Sequence, residues 1–216
     1  LVCDAPEDGM GRVKVFEYVE QDTLPIVVGG WSRAEWVGST GDYSVYLDIF
    51  HADGTPWWGK TAEWPRATHD WAYTARVFHP AKPVKRIEVF VLLRRCRGTA
   101  WVDDVFLERG GLHVTDLRLR RDAPRQPRQV QLDALLSGKA EWEAELVTPE
   151  GVPVAAARGT GDNCRLAGEM PAGGKRLTAR ISGRAANGQT VAFTAPLELP
   201  SLSENPVRQE IGRAHV

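Results

Sequence analysis

Apolar and polar residues alternate with a period of two along most of this chain, most regularly between residues 84 and 107. Ile87, Val89, Val91 and Leu93 alternate with Arg86, Glu88, Phe90 and Leu92. That period, over β-branched and aromatic residues, predicts a strand, and apolar residues on both sides predict cover on both faces. A polar turn at 94–98 joins it to a second strand over 98–107. There Ala100, Val102, Asp104 and Phe106 fall on one side, and Trp101, Asp103, Val105 and Leu107 on the other. Two adjacent carboxylates in one strand imply that one of them points toward the core, where it needs a partner or a metal.

The same period predicts strands over 12–19, 24–28, 43–50 and 70–78, the last with Trp71, Tyr73, Ala75 and Val77 on one side, where Trp71 is expected to be a core residue. Residues 1–11 are polar and glycine-containing and are expected to be a frayed lead-in. Residues 55–69 show no periodicity and carry Trp57, Trp58 and Trp64 between Pro56 and Pro65. They are expected to form a long connection, and connections of that length are more often functional than short ones. No helical pattern occurs before residue 109, which points to an all-β sandwich.

Gly110-Gly111 marks a boundary, after which only Trp142 of the eight tryptophans remains. Strand-like runs follow at 112–119, 130–136, 141–147, 152–157, 175–182 and 190–197. In 141–146 the charges alternate strictly with Trp142, Ala144 and Leu146, which argues for a half-exposed strand despite good helix propensity. Asn187-Gly188 is the strongest hairpin signal. The expectation is a jelly-roll sandwich over 12–109, a smaller immunoglobulin-like sandwich over 112–200, and an unstructured tail over 201–216. The last seven residues, 210–216, look like a translated sequencing adapter and are left out of the fold argument.

Composition narrows the function. At 216 residues the chain has room for one or two cores. A net charge of −1 supplies no global basic field, so nucleic-acid binding is not suggested. No apolar run is long enough for a spanning helix. Cys3, Cys96 and Cys164 fit neither a disulfide framework nor metal spacing. The opening Leu1 and the adapter-like end suggest a piece of a longer reading frame. Neither a phosphate loop nor a nucleophile elbow occurs. Glu35, Asp48, Asp103 and Asp104 are the carboxylates from which an acid–base pair would be drawn, but no spacing pairs any two of them, and no enzymatic activity is expected of this chain.

The tryptophans are the more specific signal, because exposed indoles offer flat surfaces for the apolar faces of pyranose rings. Trp57, Trp58 and Trp64 share one connection, and Trp31 and Trp36 flank Ser32-Arg33-Ala34-Glu35. Residues 31–35, with 43–48, 53–56, 68–71 and the closing strand at 98–105, resemble a galactose-binding-like jelly roll. Carbohydrate-binding modules of this type are attached to bacterial glycoside hydrolases and other large secreted proteins. The resemblance covers about half the chain. It implies a non-catalytic module that binds a polysaccharide or glycan, carried outside the cell or on its surface by a larger protein with further domains, such as a glycoside hydrolase. Stacking falls to Trp57, Trp58, Trp64, Trp31 and Trp36, and hydroxyl contacts to Glu35, Arg33 and Lys60. In such modules the second aspartate of the closing strand helps to hold a structural calcium, and Asp104 matches that position. The alternative for Asp104 is a hydrogen-bonded carboxylate without metal. The alternative for the whole is a pair of structural sandwiches that position another domain.

Overall fold

The computed structural model describes residues 1–3, 9–123 and 126–199, and among these every regular element is a β-strand. The chain divides into two compact units between Gly111 and Leu112.

The first unit contains β1 (Val2–Cys3), β2 (Gly9–Glu17), β3 (Ile26–Val37), β4 (Asp42–His51), β5 (Pro56–Glu63), β6 (Ala67–Phe78), β7 (Val84–Arg94) and β8 (Gly98–Arg109). Two four-stranded sheets result, ordered β1-β8-β3-β6 and β2-β7-β4-β5. All their pairings are antiparallel. This is the strand order of a jelly roll. Ile26, Val28 and Ala34 of β3 meet Val45, Leu47 and Ile49 of β4 and Ile87, Val89 and Val91 of β7 in one buried cluster. Each such side chain contributes about 1.5–3 kcal/mol by leaving water. Leu92 on the opposite side of β7 is buried too, but Arg86, Glu88 and Phe90 are only half-buried, so the second face of β7 is covered in part.

Three sequence expectations for this unit are corrected. The first residues are not a lead-in: β1 pairs with β8, and the Leu1 amino group donates to the Ala100 carbonyl at 2.7 Å. Residues 55–69 are not a loop: β5 occupies 56–63 as an edge strand on β4. Gly59, at φ 71°, takes up an extra residue between the pairs Ile49–Trp57 and Leu47–Lys60. That bulge erases the period of two from the sequence while the ladder continues. Finally, neither aspartate of the closing strand faces the core. Asp104 sits at φ 48° as a bulge between the pairs Trp31–Asp103 and Gly29–Phe106, and both carboxylates are exposed. The Asp104 amide donates to Asp103 Oδ1 at 2.9 Å. Beyond the bulge the sides exchange: Val105 and Leu107 pack on the core with Val102, and Phe106 joins Trp101 and Asp103 outside.

The second unit contains β9 (Val114–Ala123), β10 (Gln126–Val147), β11 (Pro153–Glu169), β12 (Arg176–Arg184) and β13 (Thr190–Glu198). The order is β11-β10-β12-β13, with β9 also on β10. The two runs expected at 130–136 and 141–147 are one strand that bends. Its first half pairs with β9 as far as Leu136, its second half pairs with β12 from Glu141, and β11 follows both halves. Val130, Leu132, Ala134 and Leu136 before the bend, and Ala140, Trp142, Ala144 and Leu146 after it, are buried. Trp142 fits because its cross-strand neighbours on both sides are glycines, Gly159 and Gly183. The expected tail, 201–216, lies outside the described residues.

Candidate functional site

The outer face of the sheet β1-β8-β3-β6 gathers the aromatic residues. In β3, Ser32 and Ala34 are fully buried. The Ser32 hydroxyl bonds the Tyr43 hydroxyl in the core and donates to the Trp101 carbonyl at 2.8 Å. With those two positions held inward, alternation turns Trp31, Arg33 and Glu35 outward. On β8, Trp101 lies opposite Arg33, and Asp103 opposite Trp31. On β6, Tyr73 lies opposite Trp31 and Ala72 opposite Ser32, so Trp71 flanks Arg33 on its other side.

The rings form a connected row. Trp31 and Tyr73 have centroids 5.3 Å apart, and Tyr73 stacks on Phe106 at 6.5 Å with an interplanar angle of 10°. The Arg33 guanidinium lies over the Trp101 ring at 5.0 Å and pairs with Glu35 at 3.1 Å. Burial grades along the row: Phe106, Tyr73 and Trp31 half cover one another, while Trp101 and Trp71 are 41% and 45% exposed. Burial, with Glu108 nearby, pushes the Tyr73 phenol well above its ordinary range, so it stays a neutral hydroxyl. Two exposed indoles on strands either side of β3 stand roughly 10 Å apart at ordinary strand spacing. Between them lie the donors of Arg33 and the acceptors of Glu35. Flat apolar faces with a polar fork between them match a pyranose, whose ring faces are apolar and whose rim carries hydroxyls.

The other anticipated ligand residues lie elsewhere. Trp36 is 82% exposed, at φ 59°, and its amide donates to Thr68 Oγ1 at 3.0 Å. Trp58 is half-exposed and meets Phe50 edge-on at 5.1 Å, on the second sheet. Trp57 and Lys60 lie together on β5, with the Lys60 ammonium 4.6 Å from the ring centroid. Trp64 is corrected to a core residue: it is 3% exposed, packs on Tyr43 at 5.3 Å and donates Nε1–H to the Gly30 carbonyl at 3.1 Å. Asp104, anticipated as a calcium ligand, is exposed on its bulge. No group of three or more His, Cys, Asp or Glu that would hold a metal ion occurs among the described residues. As placed, Asp104 does not fit an inward-facing cation site.

No family model matches this chain. It is similar, at 31% identity over 90 residues, to the tRNA nuclease WapA of Bacillus subtilis strain 168 and to the tRNA3(Ser)-specific nuclease WapA of Bacillus spizizenii. The match takes in 40% of this chain and 4% of those proteins. Among solved structures, a β-glucuronidase of Ruminococcus gnavus in complex with D-glucaro-d-lactam overlaps 87% of this chain and 36% of its own. The apo structure of the same enzyme overlaps 87% and 35%. Identity is 12% in both, with TM-scores of 0.41 and 0.40, a likeness too slight to bear on function.

Of the residues singled out in the sequence, the structure brings Trp31, Arg33 and Glu35 onto one face. Sequence reasoning missed Tyr73 and Phe106 as their companions and assigned Trp71 to the core. The alternation of this strand gave no signal, because Asp103 and Asp104 place a carboxylate on each side of it.

Proposed function

We propose that the first unit is a non-catalytic glycan-binding module, carried by a larger protein outside the cell or at its surface, which stacks pyranose rings on the outer face of β8, β3 and β6. The observation that carries the proposal is the placement of exposed Trp101 and Trp71 on either side of the Arg33–Glu35 pair, with Trp31 and Tyr73 continuing the apolar row. Exposed rings in a row favour this over a purely structural role, in which large aromatic side chains would serve as filler. Arg33 and Glu35, held to each other, present donors and acceptors at fixed positions without a strong net field, which suits neutral hydroxyls. An open platform buries little of its ligand, so single sugars bind weakly and affinity grows with the number of stacked units.

The test is calorimetric titration of the full chain against a panel of neutral oligosaccharides. Trp101→Ala and Trp71→Ala are each expected to weaken binding roughly tenfold, the worth of one lost stacking contact. Trp58→Ala, on the other sheet, should leave it unchanged. Equal affinity in all three variants would remove this face from consideration.

A further inference from the structure

We infer that the open edge of the first unit, between β5 and β6, is a second binding site that takes an anionic sugar unit. β5 ends one sheet and β6 ends the other, and no strand ladder joins them at this edge. Side chains pointing inward there are expected to be apolar, and two of them are cations. On β5, Trp57 lies opposite Ile49 and Lys60 opposite Leu47, both inward-facing core positions. The bulge at Gly59 is what brings Lys60 to the same side as Trp57, three residues apart. On β6, Phe78 lies opposite Ile26 and Arg76 opposite Val28, again core positions.

The four side chains line a groove of about 350 Å³ that His79 extends at one end. Trp57 and Phe78 meet edge-on at 6.3 Å and form its apolar wall. The Lys60 ammonium stands 4.6 Å from the Trp57 ring centroid. Neither Lys60 nor Arg76 has a carboxylate within ion-pair distance among the described residues. Arg76 is exposed and Lys60 half-buried at this edge, so both charges are open to a ligand from solvent, and an anion supplies a counter-charge that no carboxylate provides among the described residues. The volume is at the small end of ligand pockets and suits one or two sugar rings. A planar indole against the ring face, with a guanidinium and an ammonium on the rim, recognises a pyranose that bears a carboxylate or a sulfate. This site shares no residue with the outer face of β8, β3 and β6, so either can fail without the other.

The experiment is titration of the full chain at low salt with three oligosaccharides of equal length: a uronate oligomer, its carboxyl-reduced neutral counterpart, and a sulfated oligomer. The uronate, the sulfated oligomer or both are expected to bind at least roughly tenfold more tightly than the neutral one. Lys60→Gln and Arg76→Gln should each remove most of that preference, and Trp58→Ala, which meets Phe50 on the other side of β5, should leave it intact. Equal binding of charged and neutral oligomers to the unaltered chain overturns the inference without reliance on any variant. Retention of the preference in both charge-removing variants overturns it as well. A single-stranded RNA oligonucleotide is titrated alongside. If it binds more tightly than either anionic oligosaccharide and loses affinity in the same variants, the groove is a nucleic-acid site and the sugar assignment is wrong.

Discussion

Deleting Asp103 and Asp104 together tests the feature on which the aromatic face depends. The bulge at Asp104 lets Trp101 and Phe106 share the outer side although they are five positions apart, while Val102, Val105 and Leu107 share the core side. With both aspartates removed, strict alternation from Val102 would carry Val105 and Leu107 outward and bring Phe106 and Glu108 in, whereas loss of Asp104 alone would leave every side as it is. Val105 and Leu107 are partly buried, so their exposure costs about 1.5–3 kcal/mol together, at half the value for full burial. Turning the exposed Glu108 toward an apolar interior adds about 1–3 kcal/mol for the polar group. The sum, about 2.5–6 kcal/mol, is a large share of the ~5–15 kcal/mol that holds a typical domain together. Asp104→Gly keeps the bulge and relieves the left-handed backbone, so it should be neutral or stabilising by up to about 1 kcal/mol. Urea denaturation followed by tryptophan fluorescence is the assay, because seven of the eight tryptophans lie in the first unit. A deletion variant with an unchanged midpoint would refute the reasoning, as would an Asp104→Gly variant that loses more than about 1 kcal/mol.

Two further outcomes concern the second unit. A Cβ at Gly159 would lie 2.7 Å from Trp142 Cζ2, so Gly159→Ala is expected to cost about 1–3 kcal/mol, read from the circular-dichroism melt of the second unit. Asp133 is partly buried, which works against its ionisation, but hydrogen bonds from Arg120, Arg165 and Gln131 outweigh that and hold its carboxyl below the ordinary 3.8. A carboxyl lowered on folding contributes stability that is full above its unfolded value and is lost as pH falls through the folded one. Asp133→Asn should therefore lower the unfolding midpoint at pH 7, and the gap to the unaltered chain should shrink once pH drops below 3.8. A gap of constant size across that window would exclude the linkage.

The period-two pattern of β4 and β7 was legible because both strands are central, with one side packed on the core and regular partners on each flank. The hairpin at Asn187-Gly188 was legible because its turn is a local matter: Gly188 adopts φ 86° and Asn187 Oδ1 accepts the Gln189 amide at 3.1 Å. Where residues 158–169 carry Gly159, Gly161 and Gly168 among polar neighbours, no periodicity was visible. They form a strand because β10 lies beside them along their length, and Cys164 and Leu166 then find a core to face. That is a long-range pairing, not a propensity.

By itself, then, the sequence determined that the chain is built of strands and that its first half is rich in indoles. Tertiary structure decided which way each indole points. A strand side is a matter of parity, and one inserted residue reverses it for everything downstream. The bulges at Gly59 and Asp104 are visible only against the partner strand, since a bulge is a mismatch in count between two ladders. Trp64, taken for a ligand residue, is sealed against Tyr43, and Trp71, taken for core, stands in solvent. What orients them, Tyr43 and Gly30 for Trp64 and β3 for Trp71, lies on other strands, which no single segment of the chain contains.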